Sequence, residues 1–300
     1  MKAVLLSEYG DPDRLAVGEI ADPVAGPGQV RIRTDAAAVN PVDLATRAGF
    51  TRQVTPDVAF PLVLGWDVAG VVDAVGDGVS SVSVGDRVVG MSLWFATTTG
   101  TYAELVVLDE GAVAPAPHGA EPAAAATLPL NGLTAWSTLA VAKAEPGQTM
   151  IVTGAAGGVG GYLVELATAR GIEVIGYGRS GDLDTIRGFG AVKAVDDLAD
   201  AGQAGLVVDT TGTPAAALGA VGPGGRLLFL SGGVSDPPEG VQVKRVGVRL
   251  DAAALGQMAS MAAAGKLTLR VADVLGFADA PEAHRRMAAG GVRGRLVLRP

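Results

Sequence analysis

Three hundred residues with a formal net charge of −8 and no cysteine exclude disulfides, thiolate nucleophiles and every cysteine-held metal. Lys and Arg form no cluster beyond the pairs Lys244-Arg245 and Arg285-Arg286, so neither nucleic acid nor an anionic membrane is an expected partner. Hydrophobic residues make up 49% of the chain, and the length suits two folded domains of about 150 residues each. Apolar runs are broken by Gly, Pro or charge well short of the ~20 residues of a membrane span, so a cytoplasmic protein is expected.

The opening segment, MKAVLLSEYG, reads as a strand and a turn and lacks the apolar core of a secretory signal. To about residue 120 the pattern is short β-rich segments, Val30–Thr34, Val68–Val75, Arg87–Met91 and Tyr102–Leu108, bounded by Gly, Pro or Asp. Ala123–Ala142 is Ala- and Leu-rich and predicted helical, with Pro129 marking a break or a new start. Beyond it, strand-like Thr149–Thr153, Glu173–Tyr177, Leu206–Asp209 and Arg226–Ser231 alternate with helical Val159–Arg170, Asp184–Phe189 and Ala215–Val221. That alternation predicts a parallel sheet with helices on both faces. Asp251–Ala264 and the amphipathic Pro281–Met287 are predicted helices, and Arg295–Leu298 a last strand.

The strongest local signal is Thr149-Met-Ile-Val-Thr-Gly-Ala-Ala-Gly-Gly-Val-Gly160 followed by a helix. A strand that ends in a glycine turn and feeds a helix offers backbone N–H groups and a positive helix end to a pyrophosphate. Ala156, Gly157, Gly158 and Val159 are the expected phosphate contacts, and Gly160 lets the helix pack on the strand. The next strand runs into Gly178-Arg179-Ser180 without a carboxylate. An Asp or Glu there would bond the ribose 2′-hydroxyl of NAD. Arg179 instead suits a 2′-phosphate through two parallel hydrogen bonds, with Ser180 adding another, so NADPH is the expected cofactor. The glycines also fit the short-chain dehydrogenases, but that family needs a Tyr four residues before a Lys. Asp13, Val106, Leu166 and Gly181 stand at that spacing from the four tyrosines, which excludes it.

Asn40-Pro-Val-Asp43 with Arg47 and Gly49, Phe60-Pro-Leu-Val-Leu-Gly-Trp-Asp-Val-Ala-Gly70, Val84-Gly-Asp-Arg-Val88, Gly100-Thr-Tyr-Ala-Glu104, Gly132-Leu-Thr-Ala135 and Gly294-Arg-Leu-Val297 follow the order found in the medium-chain dehydrogenase/reductase superfamily. The chain resembles its zinc-free quinone oxidoreductases. The resemblance implies an α/β protein with a GroES-like β-rich catalytic domain, residues 1–121 and 266–300, and a Rossmann doubly wound parallel-sheet domain, residues 122–265. It also implies a homodimer joined through Rossmann edge strands. Zinc alcohol dehydrogenases have Cys where Asn40 stands and His-Glu where Trp66-Asp67 stands, so no metal is expected.

By the same resemblance, Asn40 and Thr134 lie near the nicotinamide ribose and ring. Thr210, Thr211, Ser231 and Gly232 follow strands, and their backbones are expected to edge the cofactor crevice. Relatives carry a Tyr just after the Asn-Pro-Val-Asp segment; Leu44 and Ala45 stand there, which leaves water as the proton source. Phe50, Trp94 and Phe95 are candidates for an apolar substrate wall or for core packing. Asp67 reads as a brace rather than an acid, Tyr102 as a strand residue that packs, and neither His118 nor His284 as catalytic. The expected function is hydride transfer from NADPH to a quinone or α,β-unsaturated carbonyl. The alternatives are an enoyl reductase dedicated to a carrier-bound or specialised substrate, which a short 231–251 segment would admit, and a non-catalytic NADPH-binding protein.

Overall fold

The computed structural model describes residues 1–55 and 58–300 and divides into two compact units, Met1–Leu130 with Leu250–Pro300, and Asn131–Arg249. Residues 122–130 and 250–265 therefore fall with the first unit, whereas the sequence division had them in the second. The helix Ala252–Ala263 packs on the strand Val113–Pro115 of that first unit. Among the described residues, no helix is long and apolar enough to cross a membrane.

In the first unit, a three-stranded sheet places Lys2–Leu6 between Leu15–Glu19 and Leu62–Val63. A seven-stranded sheet runs Val271–Gly276, Arg295–Arg299, Gln29–Ala38, Asp67–Val75, Arg87–Met91, Val113–Pro115, with Leu105–Asp109 branching from Gln29–Ala38. Pairing of Val297 with Ala38 and Leu298 with Ala37 ties the last strand to one near the start of the chain. Alternation along Gln29–Ala38 turns Val30 and Ile32 inward, where they meet Val68, Val72, Val88, Val106 and Leu108. Tyr102 is not on a strand: Gly100–Tyr102 lies against another segment, Tyr102 N–H bonding the Leu64 carbonyl at 3.0 Å, and the strand starts only at Leu105.

The second unit is a six-stranded sheet in the order Lys193–Val195, Glu173–Tyr177, Thr149–Thr153, Ala204–Asp209, Val221–Phe229, Gln242–Arg245, with every pair parallel. Numbered within the unit, that order is 3-2-1-4-5-6, the doubly wound arrangement whose strand order reverses beside the first strand. Met150, Ile151, Val152, Leu206, Val207 and Val208 are all buried, as continuous apolar runs in parallel sheets must be. Pro129 opens the helix Pro129–Ala142, separate from the short helix Pro122–Ala125. The predicted helix from Ala215 is only Pro214–Ala217 and one 3₁₀ turn, Leu218–Ala220, and the strand already begins at Val221.

Thr149–Thr153 passes through a turn into the helix Gly158–Thr168. Gly154 adopts φ +68° there, a conformation that favours glycine. A Cβ on Gly160 would stand 2.1 Å from the Gly154 carbonyl oxygen, so the helix and turn touch backbone to backbone. Gly160→Ala is expected to destabilise the protein by ~2 kcal/mol or more, because the obstacle is rigid main chain. Urea unfolding measures it; an unchanged midpoint would show that the turn has room to give.

Candidate active site

All six parallel strands of the second unit end on one edge, and the glycine turn stands there beside the reversal point. Ala156 and Gly157 lie in the turn, Gly158 and Val159 in the first turn of the helix. At the end of the neighbouring strand, Arg179 is exposed, and its side chain makes no hydrogen bond or ion pair among the described residues; the exposed Ser180 opens a 3₁₀ turn. On the other side, Thr210 Oγ1 donates to the Thr153 carbonyl at 2.7 Å. A Cβ on Gly154 would come within 2.7 Å of Thr210 Oγ1, and one on Gly232 within 2.6 Å of the Gly212 carbonyl oxygen. The predicted residues of this edge, 156–159, 179–180, 210–211 and 231–232, thus belong to one set of adjoining loops. Thr134 is on the helix Pro129–Ala142, its carbonyl accepting from Thr138 Oγ1 at 2.7 Å.

Asp209, which the sequence reading did not single out, is the centre of this edge. Fully buried, it ends the strand Ala204–Asp209 directly beside Thr153. Its Oδ1 accepts from Thr153 Oγ1 at 2.6 Å and from Thr211 Oγ1 at 2.6 Å, and its Oδ2 from the Gly212 N–H at 3.0 Å. The signal available in the sequence was an acidic residue closing an apolar strand and followed by two threonines.

Asn40 belongs to the first unit, only 1% exposed, at the N-cap of the helix Pro41–Arg47. Its backbone N–H donates to Asp43 Oδ2 at 2.8 Å and its amide nitrogen to Asp67 Oδ2 at 2.6 Å. Asp67 Oδ1 accepts from the Leu130 N–H at 2.6 Å. Asp43 also takes the Tyr102 hydroxyl at 3.0 Å and, through Oδ1, the Gly65 N–H at 3.1 Å. Burial pushes the Asp43 and Asp67 carboxyls up to about 7, opposed by these donors. The Tyr102 hydroxyl rises well above its usual range through burial and the neighbouring Asp43. Tyr102 therefore does more than pack, and Asp67 braces the Asn40 segment.

Of the three aromatic candidates, Trp94 and Phe95 pack edge-on to each other at 6.2 Å, while Phe50 is exposed. Trp94 is 1% exposed with Nε1 donating to the Val63 carbonyl at 2.8 Å, Phe95 packs edge-on to Trp66 at 4.9 Å, and Phe50 stands 84% exposed. A surface groove of about 580 Å³ in the first unit, lined by Thr34, Arg87, Glu121 and Arg299 among others, includes none of the predicted site residues.

A family model described as the alcohol dehydrogenase GroES-like domain matches residues 26–118, and one described as zinc-binding dehydrogenase matches residues 184–298. A solved NAD-dependent alcohol dehydrogenase is 31% identical, with a TM-score of 0.88 over 100% of both chains. The chain belongs to the medium-chain dehydrogenase/reductase superfamily. Within the superfamily it is quinone oxidoreductase-like: a quinone oxidoreductase of Pseudomonas aeruginosa is 29% identical across 100% of this chain and 99% of that protein. A 2-methylene-furan-3-one reductase of Solanum lycopersicum is 35% identical over 251 residues, 79% of this chain. The match takes in 64% of that relative, so the chain spans a little under two-thirds of its length. Although the second family description names zinc, Asn40, Trp66 and Asp67 do not fit that ion. An amide nitrogen and an indole are not zinc ligands, and both Asp67 oxygens already accept from N–H groups. Among the described residues, no three His, Cys, Asp or Glu side chains are grouped to hold a metal.

His284 is fully buried on the helix Ala280–Ala289, edge-on to the Tyr102 ring at 6.2 Å, and neither ring nitrogen has a hydrogen-bond partner among the described residues. Burial, reinforced by the Arg47 charge, lowers its pKa from 6.5 to about 3. The unfolded chain therefore binds the extra proton first, and stability is lost as pH falls from 6.5 towards about 3. His284→Leu removes that loss, so its stability relative to wild type is expected to improve steadily through this window. Urea midpoints measured across it provide the check, and parallel curves for the two proteins would count against a neutral buried imidazole.

Proposed function

We propose that this protein is an NADPH-dependent, zinc-independent reductase that delivers hydride to a quinone or an α,β-unsaturated carbonyl. The observation that carries the reading is a glycine turn at the reversal point of a parallel sheet, with Arg179 and no carboxylate at the end of the adjoining strand. Ala156, Gly157, Gly158 and Val159 cradle the pyrophosphate at the helix start, Gly157 by close backbone approach rather than by its N–H, which donates to the Gly154 carbonyl at 2.8 Å. Arg179 and Ser180 take the 2′-phosphate. Thr210, Thr211, Ser231 and Gly232 edge the nicotinamide half. One named relative is an NAD-dependent enzyme; the cationic Arg179 is the reason to prefer the phosphorylated cofactor here.

Bound in this way, NADPH supplies the hydride. The chain's own part is to bind, orient and exclude water. Following the family resemblance, Asn40 and Thr134 are assigned to the nicotinamide ribose and ring. Asp67 fixes which way the Asn40 amide faces, since it engages the nitrogen end. Reduction of a simple ketone concentrates charge on oxygen, which a metal or strong acid must stabilise. The Asn40–Asp67 pair offers neither a metal ligand set nor an unengaged acid, since both Asp67 oxygens accept from N–H groups, so acceptors that delocalise their own charge fit best. The names of the tomato and Pseudomonas relatives, an unsaturated-ketone reductase and a quinone oxidoreductase, support that class. With Leu44 and Ala45 after the Asn-Pro-Val-Asp segment, the proton is assigned to water. A homodimer paired along the exposed edge strand Gln242–Arg245 is part of the same proposal.

Loss of NADPH absorbance, followed with a panel of quinones, enones and enoyl thioesters, tests the reading; turnover of quinones or small enones is expected. Activity on thioesters alone would replace it with a dedicated enoyl reductase, and tight binding without any turnover with a non-catalytic role. Arg179→Ala is expected to weaken NADPH binding by roughly tenfold to a hundredfold, the worth of a charged bidentate contact, while leaving NADH nearly unchanged. Equal losses for the two cofactors would remove Arg179 from the site.

A further inference from the structure

We propose that Asp209 is a positioning residue, holding the two loops that receive the nicotinamide half of the cofactor against the glycine turn. The assignment rests on the dinucleotide reading above. In a 3-2-1-4-5-6 sheet the two halves of a dinucleotide fall on opposite sides of the reversal point. Arg179 and Ser180 follow the strand on one side. Asp209 ends the strand on the other, so it serves the half away from the 2′-phosphate.

The geometry shows what the carboxylate holds. On the turn side it accepts from Thr153 Oγ1 at 2.6 Å, the last residue before Gly154. On the loop side it accepts from Thr211 Oγ1 at 2.6 Å and from the N–H groups of Thr211 and Gly212 at 3.3 and 3.0 Å. Gly212, with φ +84°, in turn lies against the next loop: a Cβ there would stand 2.9 Å from Ser231 Oγ. The contact between Gly232 and the Gly212 carbonyl closes the set. A single buried side chain thus ties the end of one strand to the loops that follow the next two. No donor reaches Asp209 from the Arg179 side among the described residues.

Alanine at 209 would leave two threonine hydroxyls and two N–H groups without their acceptor. Asparagine keeps the shape: its oxygen can face the Gly212 N–H while its amide donates to hydroxyls that rotate to accept. Titration of wild type, Asp209→Ala, Asp209→Asn and Thr211→Val with NADPH, and separately with adenosine 2′,5′-bisphosphate, tests the role. Asp209→Ala and Thr211→Val are expected to raise the NADPH dissociation constant by roughly tenfold. Asp209→Asn should stay within about threefold of wild type, and every variant should bind the bisphosphate as wild type does, within about twofold. Such selective loss is not what general destabilisation of the unit gives. If Asp209→Ala does not fold, Thr211→Val, which removes one donor, carries the same comparison. Equal losses for both ligands, or unchanged NADPH binding in Asp209→Ala and Thr211→Val, would overturn the assignment alone. Wild-type protein that binds neither NADPH nor the bisphosphate would overturn the functional reading and this assignment with it.

Discussion

Between Gly154 and Gly160 the chain reverses from strand to helix through a space that admits no side chain, because the Gly154 carbonyl oxygen lies 2.1 Å from where a Cβ on Gly160 would be. This contact lets the helix start directly against the end of the strand. The first N–H groups of any helix lack intrahelical partners and carry its positive end. Here they stand at the edge of the sheet, next to the point where strand order reverses. The neighbouring loops are shaped around the same turn: Thr210 bonds the Thr153 carbonyl, and Asp209 bonds the Thr153 hydroxyl. A looser turn would leave those threonines without a fixed partner, so the close backbone approach is prior to the rest of the site.

The first unit solves a different problem. Two carboxyls, Asp43 and Asp67, are buried side by side through a shared neighbour, Asn40. An unpaired buried charge costs several kcal/mol. Here N–H and O–H groups supply the compensation, each oxygen accepting at least one hydrogen bond, and the Arg295 charge adds to it. Where the family resemblance places metal ligands, this chain has Asn40 and Asp67 hydrogen-bonded to each other, with Asp43 and the Leu130 N–H joined to the pair.

Much of this was legible in the sequence, and the exceptions have identifiable causes. Thr149–Thr153 and Glu173–Tyr177 match the sequence reading to the residue, because short runs rich in β-branched and aromatic residues and followed by glycine favour a strand over a helix. Lys193–Val195 and Gln242–Arg245 escaped because they are short, and one of them is an exposed edge with no apolar face. Tyr102 was placed on a strand since its β propensity matched its neighbours; main-chain bonds to Leu64 and Val4 hold it in a bend instead. The glycine turn announced itself by spacing, whereas Asp209 did not. A carboxylate at a strand end has no periodic signature, and its role appears only when the fold sets Thr153 beside it.

Asp209 also explains why the loop after its strand is polar rather than merely small. All four hydrogen bonds to its side-chain oxygens among the described residues run toward it, from two hydroxyls and two N–H groups, so it sets the direction of each proton it meets. Thr153 and Thr211 must both donate to it. Thr211 Oγ1 then has no proton left for Thr213 Oγ1, which lies 2.6 Å away, and Thr213 is obliged to be the donor. The Thr213 N–H, 3.3 Å from the same oxygen, is compatible with that order because Thr211 keeps its lone pairs for it. A single buried acceptor thereby orders the hydroxyls out to the exposed surface of the loop. Alanine at 209 would leave those directions undecided, since nothing would then accept from either hydroxyl. Ordered donors and acceptors along a crevice edge are what a polar cofactor requires of a surface that must not rearrange when it binds.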